Sequence, residues 1–250
     1  MKTLELLPAV DIAQGYAVRP VAGNLDPESA RLDPVQAALD WVTAGTRWIH
    51  LVDLDLAYGR GTNTLVLAEV IRAVREQNPQ VKIQVSGGIK NQQALDIALS
   101  LAPDRINVTS AALADPEWLS GILSEHGKLL ALGLDARWDE NIAQYRAVAR
   151  GTDWQGGTLQ ETMAWLNDQQ VHRYIVTDVS RDGALSGTGF ELLSAVAQHT
   201  SAPLVASGGV ASLEEIERLR ELENVEGLVL GKALYAGRFS LQQALGAAGF

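Results

Sequence analysis

The chain has 250 residues, 47% of them apolar, enough to build and cover one large core. Its formal net charge of −10 argues against a nucleic-acid surface, which needs a basic stripe, yet leaves room for a small anion held by backbone N–H groups at helix starts. With no cysteine, disulfides and cysteine metal sites are excluded.

No apolar run approaches the roughly 18 residues that span a bilayer. The N-terminal MKTLELLPAVDIAQG, interrupted by Asp11, lacks the apolar region and cleavage site of a secretory signal. The expectation is a soluble, cytoplasmic protein with no membrane and no nucleic-acid partner.

In chain order, short runs rich in Val, Ile and Leu alternate with helical patterns. The first run is 5-ELLPAVD-11, followed by an irregular loop over residues 12–32. A helical pattern, 34-PVQAALDWVTAG-45, ends on Gly45. Further strands are predicted at 47-RWIHLVD-53, 82-KIQVS-86, 104-DRINV-108 and 129-LLALGLD-135. After the fifth, residues 136–157 read as a long irregular loop, and long loops are often functional. The last three strands are 173-RYIVTD-178, 203-PLVAS-207 and 226-EGLVL-230. Between the last two, 212-SLEEIERLREL-222 opens with Ser212 and Glu215 at capping-box spacing.

Most of these strands are continuously apolar, as strands covered on both faces are. Eight strands alternating with helices over this length predict an α/β fold, the (β/α)8 TIM barrel, as a single domain over residues 1–250. A doubly wound open sheet is the rival. No GxGxxG follows the first strand, which counts against its dinucleotide-binding version.

Four pairs of segments match at offsets of 121 to 126 residues: Asp11 with Asp135, Asp53 with Asp178, 61-GTNTLVLAEV-70 with 187-GTGFELLSAV-196, and 86-SGGI-89 with 207-SGGV-210. This predicts two half-barrels, about 1–125 and 126–250, each of four βα units. In a barrel the loops after the strands form the active face. Ser86, Gly87 and Gly88 with the next turn, 107-NVTSAAL-113, make one possible phosphate clamp. Ser207, Gly208 and Gly209 with 230-LGKALYA-236 make the other. The expected ligand carries a phosphate at each end. Alternatively the glycines only permit tight strand-to-helix turns.

Asp11, Asp53, Asp135 and Asp178 each close a predicted strand, and Asp182 lies in the DGALSG loop beyond the sixth. Carboxylates gathered at the strand ends suit acid/base work, in which one is ionised and another holds a proton. Each could instead cap a helix or turn, the favoured reading for Asp53, Asp55 and Asp178. His50, inside an apolar strand, reads as a hydrogen-bonded residue of the core or one just behind the site. The four histidines show no HxH or HExxH, so no metal site is expected. Trp41, Trp118 and Trp165 fit helix packing. Trp138 and Trp154, in the loop after strand 5, could cover a ligand. Arg19 and Arg150 could pair with an anion or remain solvated.

The segments 7-LPAVDIAQGYAVR-19, 50-HLVDLDLAYGRGTN-63, 85-VSGGI-89, 107-NVTSAAL-113, 176-VTDVSRDGALSG-187, 206-ASGGV-210 and 229-VLGKALYAGRFSL-241 resemble the phosphoribosyl isomerase A family of histidine biosynthesis over nearly the whole chain. The resemblance implies a cofactor-independent aldose–ketose isomerase. Its reaction would be the Amadori rearrangement of the bis-phosphorylated aminoaldose ProFAR to PRFAR. The family can also isomerise phosphoribosylanthranilate in tryptophan biosynthesis. Asp11 is implied as base and Asp182 as acid, with Asp135 and Thr177 assisting. Arg19, Ser86, Gly87, Gly88, Thr109, Ser110, Arg150, Gly183, Ser207, Gly208, Gly209, Gly231 and Lys232 are implied to bind substrate. No metal or organic cofactor is implied, because the substrate imine serves as electron sink. The one partner implied is the phosphoribosyl substrate, and the chain is expected to be a monomer.

The sequence departs from that family in places. Pro20 and Ala22 alter the loop after Arg19. Lys90 stands where an arginine is usual and lacks its bidentate fork. Thr109 puts a β-branched side chain where a clamp usually has glycine. In 150-RGTDW-154, Thr152 occupies the place of a tryptophan. Three alternatives remain: narrowing to the anthranilate substrate alone, a cyclase-like barrel, and a non-catalytic phosphate-binding barrel.

Overall fold

Every apolar run becomes a parallel strand, and the strands join edge to edge into a closed barrel. The computed structural model describes residues 2–18, 31–149 and 154–250. The barrel strands are β1 (Glu5–Ala13), β2 (Trp48–Asp53), β3 (Lys82–Ser86), β4 (Arg105–Val108), β5 (Leu130–Asp139), β6 (Tyr174–Asp178), β7 (Leu204–Ser207) and β8 (Val225–Leu230). Each pairs with its neighbours in sequence, β1 also pairs with β8, and β4 with β5 completes the ring.

The continuous apolarity has two causes, one on each face of the sheet. Side chains alternate across a strand. Outward residues such as Leu6, Ile49, Ile83, Ile106, Leu132 and Val176 pack beneath the helices in one large core. Inward residues Leu7, Trp48, Ala131, Ile175 and Val205 form a second, smaller cluster inside the barrel, with Val229 against it. This inner layer fills the barrel, so the space above it is a cavity and not a pore.

Helices are placed by local signals. Asp33 caps the helix Pro34–Thr43 by accepting from Val35 N at 2.8 Å, with Pro34 in the first turn. Gly45 leaves that helix at φ 94°, close to the stop read from the sequence. The capping box expected at Ser212 does not form. Glu215 reaches across instead, accepting from Ala211 N at 2.7 Å and Thr188 N at 3.1 Å. The carboxylate takes the Ala211 N–H and the remote Thr188 N–H in place of the Ser212 backbone N–H that a capping box would use.

The two segments read as irregular contain hairpins. β1 continues to Ala13 and pairs antiparallel with Tyr16–Val18 through a turn at Gln14 and Gly15, both with positive φ. Of residues 136–157, the described ones, 136–149 and 154–157, are largely strand. β5 runs on to Asp139 and pairs with Gln144–Val148, which pairs in turn with Gln155–Thr158. The Arg146–Asp139 ion pair (3.0 Å) and the edge-to-face Trp138–Tyr145 contact (5.3 Å) hold the hairpin. Trp138 stays exposed, while Trp41, Trp118, Trp154 and Trp165 pack against the core.

Gly87 has φ 104°, and a Cβ there would collide with the Asp53 backbone of the neighbouring loop. Gly87→Ala is therefore expected to cost at least about 2 kcal/mol of stability. Gly121 is the control. It lies within the helix Pro116–His126 with open space around it, so Gly121→Ala should stabilise by about 0.5–1 kcal/mol. Urea denaturation of both variants checks the opposite signs.

Candidate active site

One cavity of about 610 Å³ opens at the C-terminal ends of the strands. Because β3–β4 and β7–β8 lie half a ring apart, the two Ser-Gly-Gly turns reach it from opposite sides. All four glycines of those turns have positive φ. Ser86, Gly87 and Gly88 line one side with Thr109 and Ser110. Ser207, Gly208 and Gly209 line the other with Gly231 and Lys232.

Each turn leads to the start of a helix, Gln92–Ser100 after the first and Leu213–Glu221 after the second. Helix starts present backbone N–H groups and a favourable dipole to an anion. Lys90 and Lys232 add a cation to each side. Lys232 also donates to the Gly183 carbonyl at 2.6 Å, tying the β8 turn to the loop that carries Asp182.

Four sequence-derived groups line the space between the turns: Asp11, Asp135, Thr177 and Asp182. Asp11 stands near the end of β1. Asp135 and Thr177 are neighbours in the β5–β6 register. Asp182 comes from the loop after β6 and lies against Gly208, where an added Cβ would come 2.9 Å from its Oδ1. Only a glycine lets that carboxylate and the β7 turn approach so closely. Asp135 accepts from Ser110 Oγ at 2.6 Å, linking β5 to the β4 turn.

The carboxylates are not equivalent. Asp11 is pushed up from its ordinary 3.8 to about 7, first by loss of water and then by the negative charge of Asp182. Asp53 and Asp178 cap local turns as read, whereas Asp55 does not act as a local cap: its backbone donor comes from the distant turn after β1. Asp53 accepts from Leu56 N, Asn63 N and Thr62 Oγ1, and Asp55 from Gln14 N. Asp178 accepts from Ser180 N and its hydroxyl.

Arg19 and Arg150 lie outside the described residues, as do Pro20, Ala22 and Thr152. Trp138 and Trp154 are not among the described residues that line the cavity. His50 does line it, which its apolar strand disguised, because a strand's two faces are both covered here. Sequence reading also passed over Asn107, Tyr58 and Tyr235. Tyr235 donates to the Ala9 carbonyl at 2.9 Å, and the signal for it was its place in the matching turn 230-LGKALYA-236. Leu185, in the DGALSG loop, lines the cavity in the left-handed region at φ 51°. Among the described residues no cluster of three or more His, Asp or Glu side chains could hold a metal ion. No helix among them is long and apolar enough to cross a membrane.

A closed barrel with carboxylates gathered at its rim is the frame of a barrel enzyme, and residues 5–240 match the family described as histidine biosynthesis protein. The chain belongs to that family, and it is an isomerase of it. A protein of Parafrankia sp. named 1-(5-phosphoribosyl)-5-((5-phosphoribosylamino)methylideneamino)imidazole-4-carboxamide isomerase is 47% identical over 246 residues, 98% of this chain and 96% of its own. One of the same name from Acidothermus cellulolyticus is 47% identical over 250 residues, covering 99% of both chains. A protein of Mycobacteroides abscessus named phosphoribosyl isomerase A is 45% identical over 247 residues, 98% of this chain and 99% of its own.

The raised Asp11 pKa has a measurable consequence. An acid whose pKa is higher folded than unfolded binds more protons in the native state, so its contribution to stability is lost as pH rises from about 4 to about 7. Asp11→Asn removes the ionisation. The variant should be more stable than the parent at pH 8, with little difference at pH 4. Denaturant melts across that range test this, and a gap that fails to widen with pH would contradict the buried-carboxyl account.

Proposed function

We propose that the chain isomerises the bis-phosphorylated aminoaldose ProFAR to the aminoketose PRFAR. One observation carries the reading: two matching glycine turns face each other across one cavity, with Asp11 and Asp182 between them. The names of the relatives support the same substrate.

In this reading the β3–β4 turns hold one phosphate and the β7–β8 turns the other. Asp182 gives a proton to the ribose ring oxygen as the C1–O bond breaks, and the C1–N linkage becomes an iminium. Asp11 then removes the C2 proton, and the C2–H electron pair flows toward the iminium to give an enolamine. Tautomerisation places a carbonyl at C2 and a proton at C1. Atoms and electrons balance within the substrate, and the imine holds the electrons in transit.

A carboxylate near pKa 7 is a stronger base than an ordinary one, yet is still partly ionised at neutral pH. Asp135 and Thr177 line the same cavity and in this reading hydrogen-bond the sugar. Arg19 and Arg150 are proposed to contact the substrate from the loops after β1 and β5.

Thr109 does not spoil the first clamp. Its φ of −73° and ψ of 158° are open to any residue, and its hydroxyl turns to the Ile89 carbonyl at 3.3 Å. Lys90 keeps a cation at the same side. Both points favour the substrate with two phosphates over the anthranilate substrate with one. The phosphoribosylanthranilate reaction is the second reading, and Thr152 bears on it.

Asp11→Asn and Asp182→Asn should each lower kcat by about 10²–10⁴-fold with ProFAR. With Asp11 as base, kcat/KM rises as pH rises through about 7. A rate that instead falls across that range would make Asp11 the proton donor and reverse the assignment. Thr152→Trp should raise turnover of phosphoribosylanthranilate in a parallel assay, and an unchanged rate removes that loop from substrate choice.

A further inference from the structure

The acid/base reading uses the rim of the cavity and leaves its floor unassigned. Ala9, Ile175 and Val229 line the cavity from the strands themselves, and His50 and Asn107 are polar residues among them. His50 is buried, and burial together with the Arg105 charge lowers its pKa to about 4. The ring is therefore neutral at ordinary pH. A neutral imidazole has one N–H and one bare nitrogen, and its neighbours choose between them.

The choice can be traced through the barrel. Arg105 Nη1 donates to Gln84 Oε1 at 3.3 Å, and Gln84 is fully buried. A guanidinium has donors only, so the amide oxygen must face Arg105 and the amide NH₂ must face His50. Gln84 Nε2 lies 2.6 Å from His50 Nδ1. Nδ1 must then accept, which leaves the hydrogen on Nε2.

Arg105 is itself held. It pairs with Glu226 at 3.3 Å, stacks on the Trp48 ring at 4.2 Å, and shares Glu226 with Arg173. The chain of contacts thus begins near the N-terminal ends of the strands and ends at the cavity floor.

We infer that Arg105, acting through Gln84 from the far end of the barrel, fixes His50 as an Nε2–H donor to an uncharged oxygen of the substrate. A hydroxyl or a carboxamide carbonyl fits such a donor. A phosphate there would lack a partnering charge, since the register neighbours of His50, Ala9 and Gln84, carry none. His50 is then a binding residue, and Gln84 and Arg105 are positioning residues that act through it. The identity of the ligand rests on the isomerase reading, whereas the position of the hydrogen does not.

The test is long-range ¹H–¹⁵N correlation on ¹⁵N-histidine protein, with the His50 signals assigned by their loss in His50→Gln. The wild type should show a single tautomer from pH 6 to 8, with a bare Nδ1 and a protonated Nε2. Gln84→Met, which fills the space without a hydrogen bond, should give a tautomer mixture and about a tenfold fall in kcat/KM. His50→Leu should lose about as much, and His50→Gln, which keeps an N–H at similar reach, should recover most of it. A wild-type His50 with the hydrogen on Nδ1, or in exchange between the two, overturns the inference whatever the variants do. So does a Gln84→Met protein unchanged in both spectrum and rate, or a His50→Leu protein of full activity. A fixed Nε2–H tautomer in a protein that turns over neither substrate supports the relay and refutes the proposed function instead.

Discussion

Pairing of β4 with β5, through Ile106 with Leu130, Asn107 with Ala131 and Val108 with Leu132, shuts the sheet on itself. Left open at that seam, the same strands would form a twisted sheet with two edges, and the β3–β4 and β7–β8 turns would not face one another. Closure also leaves no edge in the ring for another chain to pair with. The cavity, its opposed glycine turns and the meeting of Asp11 with Asp182 all depend on it. The helices are the second condition, since parallel strands are stable only when both faces are covered.

Inside the ring the side chains change character from one end to the other. Near the strand N-termini lies Glu226, paired with both Arg105 and Arg173. Above them sits the apolar layer of Leu7, Trp48, Ala131, Ile175 and Val205. The carboxylates come last, at the open rim. Burial of Asp11 beneath that rim, together with the negative charge of Asp182, raises its pKa. Gln84 and His50 are the polar connection across that layer. A buried polar network is retained only when its members are satisfied, and each link here has a partner.

Much of this was legible beforehand, for identifiable reasons. The strand runs stood out because burial on both faces makes them short continuous runs of Val, Ile and Leu, each bounded by a turn signal. The carboxylates and glycine turns were visible because each sits next to the end of such a run. The hairpin of β5 with Gln144–Val148 was not, because it extends a strand past the barrel, where exposed polar residues such as Arg137, Glu140 and Asn141 read as loop. The Ser212–Glu215 spacing suggested a capping box, and Glu215 was claimed instead by Ala211 just before the helix and by Thr188 from a remote loop.

By itself the sequence determined the order of strands and helices and the residue types at each strand end, because both depend on local periodicity and on the residues just beyond each apolar run. It could separate capping from functional aspartates only in part, since a cap is a local event and its signal lies within a few residues. Tertiary structure alone decided the rest. It brought Asp182 against Gly208, raised the pKa of Asp11 by removing its water, and aligned Arg105, Gln84 and His50 from three different strands. Those effects arise between residues far apart in the chain, and their magnitude depends on distance and burial, which a linear pattern does not contain.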